Sequence, residues 1–208
     1  MASVTLYGRR TSINVQKALW ALHEVKLDFE WVGSDSAIGW PSNPDYMQIN
    51  PNARVPSLAV DGVILHQSNV IVRYLAYVHA RGTLWPEDPI VRAHSDAWMD
   101  WQQTELNGNM FTVFWGLIRT PPEKRNMAEI GAATERLHGN FRVLDSALKD
   151  RRYVAGDSFT MGDIPAGAGL YRYMALPLDR PSLPNAQSYY KRLQERAAYR
   201  SDIMIQLS

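Results

Sequence analysis

The sequence predicts an α/β unit followed by an all-α unit, and three observations carry that prediction. Strand-like and helical patterns alternate from Ser3 to Val78. No convincing strand appears after Pro89. Between the two regions, Arg81 to Pro89 contains Gly82, Pro86 and Pro89 and reads as a linker. The expected division is therefore residues 1–80, a linker at 81–89, and residues 90–208.

Ser3 to Tyr7 (SVTLY) reads as a first strand, and Gly8 to Ile13 as a polar loop. Asn14 to Val25 then has helical apolar spacing at Val15, Ala18, Leu19 and Leu22. Lys26 to Val32 alternates as a strand would, with Leu27, Phe29 and Trp31 on one face. Gly33 to Tyr46 reads as a long loop, a type that is often functional beside a site. Val55 to Ala59 and Val63 to Leu65 form a hairpin across Val60-Asp61-Gly62. A helix follows in which Val70, Ile71, Tyr74, Leu75 and Val78 share one face. The order of the first unit is thus βαβ followed by ββα.

Beyond the linker, Val91 to Ile118 is rich in aromatics and reads as one long helix, stopped by Thr120-Pro121-Pro122. Leu137, Phe141, Leu144 and Leu148 mark a second helix with a core-facing stripe. Thr160 and Asp163 form a capping box in its Asp form, opening a third helix that holds the small residues Ala166 to Ala168. A last helix runs from Pro184 to about Ala198.

Composition excludes several classes of function. Lysine and arginine total 22 against 21 acidic residues, so no electrostatic footprint for nucleic acid or an anionic membrane exists. Met1 to Arg9 lacks the apolar core of a signal peptide, and no apolar run is long enough to span a bilayer. A cytoplasmic globular protein is expected. Cysteine is absent, which excludes disulfides, thiolate metal sites and a protein thiol nucleophile. If a thiol takes part in the chemistry, a ligand brings it.

The stretch from Asn50 to Ala76 is the most informative. It joins Val55-Pro56, the hairpin and a polar pair, Gln67-Ser68, at the start of a helix. A helix start offers unpaired N–H groups and the positive end of the macrodipole, which favour an anion. Main-chain hydrogen bonds at the Val-Pro end would hold an extended peptide. Together they suit a small peptide that carries a carboxylate. Read locally, Ser68 is also an ordinary N-cap.

These residues carry a family resemblance. LYGRRTSINVQKALWALHEVKLDFE, then NPNARVP followed by HQSNVIVRYLA, then the box at Thr160 and Asp163, together resemble the cytosolic glutathione transferases, of a bacterial, serine-class-like type. The resemblance implies a thioredoxin-like N-terminal domain and an all-helical C-terminal domain. It implies glutathione as cosubstrate and no metal. It implies a cis peptide at Val55-Pro56, an isomer found at only about 5–6% of X–Pro bonds in general. Ser68 would hold the γ-glutamyl carboxylate, with Gln67 near the amino group. A carboxylate from a partner subunit, with Asp100 or Glu105 as candidates, would complete that end. Arg54 would meet the glycyl carboxylate in a charge-assisted contact, and Trp40 would add an indole N–H.

The resemblance places the thiol-activating group near the first helix. Ser12 is the first candidate, with Thr11 and Tyr7 as alternatives and Asn14 orienting the loop. A hydroxyl at a helix start stabilises a bound thiolate, and each pKa unit is worth about 1.36 kcal/mol. The protein would hold glutathione's sulfur as thiolate and position a hydrophobic electrophile against it; organic hydroperoxides are a further substrate class. Phe111, Phe114 and Trp115 are expected at the electrophile site, between the catalytic loop and the long helix. A homodimer is expected. Pro51-Asn52-Ala53 stands where some classes insert an aromatic key, so the interface should be flatter and more polar. A thiol-transferase role is disfavoured by the missing cysteine. A noncatalytic binding or regulatory member of the fold is the alternative.

Overall fold

The computed structural model describes residues 3–33 and 43–208. Two compact units emerge. One comprises Met1–Trp85 with Ala198–Ile205, the other Pro86–Ala197 with Gln206–Ser208.

In the first unit the order is β1 (Val4–Tyr7), α1 (Ile13–Glu24), β2 (Glu30–Val32), α2 (Pro44–Ile49), β3 (Ser57–Val60), β4 (Val63–His66) and α3 (Ser68–His79). Among the described residues the strands form one sheet, ordered β2-β1-β3-β4. β1 and β2 run parallel, whereas β1–β3 and β3–β4 are antiparallel. This is the thioredoxin-like βαβ-ββα arrangement. The β3–β4 hairpin closes through Asp61 and Gly62 at φ 48° and 82°, the pair of left-handed residues that a two-residue turn with matching twist requires. α1 supplies more of the core than any other element: Val15, Leu19, Trp20 and Leu22 are all buried. Tyr199 packs its ring 4.8 Å from Trp20, and Asp202 meets His23 Nδ1 at 2.6 Å, so the segment from Ala198 belongs to this core.

Three expectations need correction. β2 spans three residues and not seven, because its pairing with β1 covers only Thr5 to Tyr7 and Lys26 takes φ 54°. The stretch read as loop ends in a short helix, α2, whose start Asn43 caps by accepting from the Asp45 N–H at 2.8 Å. The face of α3 is rotated: Ile71, Val72, Leu75 and Ala76 are buried, while Val70 and Val78 are exposed. Burying Ser68 and Asn69 at the helix start turns the stripe.

The second unit is helical: α4 (Pro89–Trp101), α5 (Asn107–Phe114), α6 (Met127–Ala147), α7 (Asp163–Ala175) and α8 (Pro184–Gln194). The single long helix expected from Val91 to Ile118 is interrupted by π segments at Gln102–Leu106 and Trp115–Arg119. Leu137, Phe141, Leu144 and Leu148 of the α6 stripe are buried as expected. The small residues of α7 let neighbours approach closely. A Cβ on Gly162 would meet the Ser95 carbonyl at 2.5 Å, and one on Gly169 would meet Leu106 at 2.6 Å. The box at Asp163 forms in its reciprocal half: its carboxylate accepts from the Thr160 N–H at 2.8 Å. The Asp163 N–H goes instead to the Thr160 carbonyl. No helix among the described residues is long and apolar enough to cross a membrane.

Candidate functional site

The sheet gathers the candidate residues of the first unit at one end. Tyr7 ends β1 and pairs with Ser57, the residue after Val55-Pro56. Ser57 pairs in turn with His66, the residue before Gln67. Register alone therefore sets the loop after Tyr7, the Val-Pro segment and the Gln67-Ser68 pair side by side. The Val55-Pro56 bond is cis.

The Val-Pro segment is braced by residues that sequence reading missed. Buried Tyr46 donates its hydroxyl to the Arg54 carbonyl at 2.9 Å and lies 2.9 Å from Ser57 Oγ. Burial pushes the Tyr46 phenol up, against the hydrogen bonds to Ser57 and Asn50. Asn50 Nδ2 donates to the same Arg54 carbonyl at 2.6 Å. Arg54 itself is exposed, and Val55 is half-buried. The only sequence signal for this brace was Tyr46, an aromatic in a region read as loop. On the other side Gly8 packs against Val55. It takes φ 145°, and a Cβ there would fall 3.1 Å from Val55 Cβ and 2.5 Å from Val15 Cγ2.

Two helix starts meet beside this segment. Ser12 is the N-cap residue of α1, with extended backbone at φ −81° and ψ 121°, and its side chain makes no capping hydrogen bond. Ser12 and Thr11 are both half-buried, as is Tyr7. At α3, Gln67 occupies the N-cap position with φ 68° and ψ 119°, an unusual conformation for a residue with a side chain. It is exposed and makes no side-chain cap. Ser68 Oγ donates to Asn14 Oδ1 at 3.2 Å, tying the first turns of the two helices together. One turn deeper, fully buried Lys17 donates from Nζ to Asn69 Oδ1 at 3.1 Å. Neither helix has an acidic residue in its first turn. Two positive helix ends thus open together with no carboxylate of their own to neutralise them.

The aromatic candidates lie in the second unit. Phe111 is 58% exposed and Trp115 42% exposed, and their rings stack at 5.2 Å and 28°. They line a cavity of about 260 Å³ with Gly116, Arg125 and Ile130. Phe114 is buried at 3% exposure. Trp40 lies outside the described residues.

The chain matches the glutathione S-transferase N-terminal domain over residues 2–77 and the glutathione S-transferase C-terminal domain over residues 106–197. It belongs to the glutathione S-transferase family. Among transferases of this family it is similar to glutathione S-transferase GstB of Escherichia coli K12. The two are 37% identical over 207 residues, which covers 99% of this chain and 100% of the relative. It is 27% identical to glutathione S-transferase 3 of Zea mays, over 98% of this chain and 94% of that one. Among solved structures it is similar to the theta class glutathione S-transferase of Xanthomonas axonopodis pv. citri with glutathione bound, at TM-score 0.94 and 39% identity over the whole of both chains. The apo form of that transferase matches at TM-score 0.86.

Proposed function

We propose that the protein is a glutathione transferase that ionises the glutathione thiol and directs it at a hydrophobic electrophile. The observation that carries this reading is the junction of the α1 and α3 starts, joined by Ser68 and Asn14 and free of first-turn carboxylates. The likeness to a relative solved with glutathione bound supports the choice of ligand.

On this reading residues 1–80 form the glutathione domain, 81–89 the linker, and 90–208 the domain that supplies the electrophile site. Ser68 and its backbone N–H take the γ-glutamyl carboxylate at the α3 start, with Gln67 beside the amino group. The Val55 main chain pairs with the peptide as an added strand. Arg54, exposed and one residue away, takes the glycyl carboxylate, with Trp40 as its companion. Ser12 is the thiolate-stabilising hydroxyl, and its freedom from a capping bond supports that choice over Thr11 and Tyr7. The hydroxyl and the α1 dipole both favour the charged sulfur, and each pKa unit they supply is worth about 1.36 kcal/mol. The thiol proton passes to solvent, and the thiolate attacks the electrophile. Exposed Phe111 and Trp115 offer the apolar surface, with Phe114 supporting them from the core. The protein acts in the cytoplasm as a homodimer; Val70, Tyr77 and Val78, left exposed on α3, support an assembly of that kind.

Calorimetry with glutathione and turnover of 1-chloro-2,4-dinitrobenzene by Ser12→Ala test the reading. The expected result is near-normal glutathione affinity with a turnover loss of about a hundredfold. Glutathione binding without turnover in the wild type would instead favour a noncatalytic member of the fold. Unchanged turnover in the variant would move the role to Thr11 or Tyr7.

A further inference from the structure

The loop from Gly8 to Ser12 carries the proposed thiolate partner, yet the Ser12 side chain makes no capping bond that would fix its place. What grips the loop sets its position. At one end the Gly8 N–H bonds the Val32 carbonyl at 3.0 Å, and Trp31 Nε1 donates to the Gly8 carbonyl at 2.9 Å. At the other end the Ser12 N–H closes a turn on the Arg9 carbonyl at 3.2 Å. Arg10 stands between them. Gln16 Nε2 of α1 donates to its carbonyl at 2.9 Å, and its guanidinium lies 5.9 Å from the Trp31 ring. Its Nη2 donates to the Ser201 carbonyl at 2.5 Å, a contact that spans 191 residues of chain.

Ser201 sits in the π turn Tyr199–Ile203, which follows α8 in sequence but belongs to the first unit. Buried groups anchor that turn on α1. Tyr199 is fully buried and packs 4.8 Å from Trp20, and Asp202, 3% exposed, accepts from His23 Nδ1 at 2.6 Å. These anchors fix where the Ser201 carbonyl points, and so where the Arg10 side chain settles. Close-packed side chains keep one arrangement, whereas an exposed arginine regains rotamer freedom once its acceptor moves.

We propose that Tyr199–Ile203 is a strap that holds the Ser12 loop through Arg10, and that Arg10 and Asp202 are positioning residues for thiol ionisation. The inference rests on the transferase reading. A hydroxyl stabilises a thiolate only at hydrogen-bond distance and alignment, so a loop given more room loses part of that effect. Arg10 acts on Ser12 through the main chain of the loop, and Asp202 acts on Arg10 through Ser201.

The test titrates the thiol of bound glutathione by its ultraviolet thiolate absorbance in wild type, Arg10→Gln, Asp202→Ala and the double variant. Each single variant should raise the thiol pKa by about one unit, cutting the thiolate about tenfold where the thiol is mostly protonated, with glutathione affinity near normal. The double variant should go little further, because both changes act on one contact. Charge alone predicts the opposite sign for Asp202→Ala, since removing an anion favours the thiolate. A lowered or unchanged thiol pKa in that variant therefore overturns the proposal. Amide exchange is a readout that needs no glutathione. At Ser12 it should quicken about tenfold in both single variants, with little change at Asp61, whose N–H bonds the Ser3 carbonyl at the far end of the sheet. An unchanged rate at Ser12, or an equal rise at both amides, overturns the strap. Wild-type protein that leaves the glutathione thiol protonated overturns the transferase reading, and exchange at Ser12 still decides for or against the strap.

Discussion

Removing the Asp163 carboxylate should destabilise the helical unit, and should do so more at pH 5 than at pH 7. The fully buried carboxylate accepts from the N–H groups of Val154 at 3.0 Å and Thr160 at 2.8 Å, and from the hydroxyls of Tyr189 at 2.8 Å and Thr160 at 3.2 Å. In Asp163→Ala the hydroxyls can turn to other acceptors; Tyr189 already lies 3.5 Å from the Asp163 carbonyl. The two backbone N–H groups cannot. Each orphaned donor costs about 1–3 kcal/mol, which places the loss near 4 kcal/mol before any charge effect.

The pH dependence follows from the titration of the same group. Burial pushes Asp163 up to about 6 from 3.8, against the pull of its four hydrogen bonds. An acid whose folded pKa is raised favours the folded state most when protonated. That contribution is full below pH 3.8 and is lost as pH rises through 6. Across the whole window it amounts to about 3 kcal/mol, of which about 1 kcal/mol falls between pH 7 and pH 5. The cost of Asp163→Ala should therefore grow by about 1 kcal/mol on acidification from pH 7 to pH 5. A carboxylate kept ionised by its donors would behave in the opposite way. Urea unfolding of both proteins at the two pH values is the assay. A difference that shrinks as pH falls would refute the argument that burial outweighs the hydrogen bonds.

Two other perturbations probe the glutathione side. Gly8→Ala forces a Cβ to within 2.5 Å of Val15 Cγ2 and 3.1 Å of Val55 Cβ at φ 145°; a stability loss of about 2 kcal/mol is expected, with KM for glutathione raised more than kcat is lowered, and intact kinetics in steady-state assays would show that Val55 had not moved. A double-mutant cycle of Lys17→Met and Asn69→Ala should return a coupling of about 2 kcal/mol in chemical denaturation, since the bond joins a buried ammonium to a buried amide. Additive losses would mean that this bond contributes nothing to holding α1 against α3.

Much of the fold was legible because its signals are local. Leu137, Phe141, Leu144 and Leu148 recur at helical spacing whatever surrounds them, and all four are buried. Asp61-Gly62 names its own turn. α2 was legible in principle, since Asn43 followed by Pro44 is a cap and a first-turn proline; the Gly, Ser and Pro residues before it masked the signal. α3 failed for a different reason. Val70, Ile71, Val72, Tyr74, Leu75 and Val78 ring most of the helix, so periodicity alone does not choose a face. Contact does: Asn69 turns inward to Lys17 and Ser68 to Asn14, and the apolar residues follow.

The same contrast explains why the candidate site was only half readable. Helix starts are written locally, so Ser12 and Ser68 were visible as polar residues ahead of apolar periodicity. Their juxtaposition depends on bonds that span more than fifty residues, Ser68 to Asn14 and Lys17 to Asn69, between types common on any surface. The brace on Arg54 depends likewise on Tyr46 and Asn50, whose partner is a carbonyl with no sequence signature at all. Such bonds decide whether two helix dipoles add at one point or merely occur in one chain. Where they add, an anionic peptide would meet both helix ends at once, and a hydroxyl at one of them would face the sulfur on the proposed reading. The candidate binding residues can therefore be named from sequence, while the geometry that would make Ser12 a catalyst and not a cap is held by residues that no motif contains.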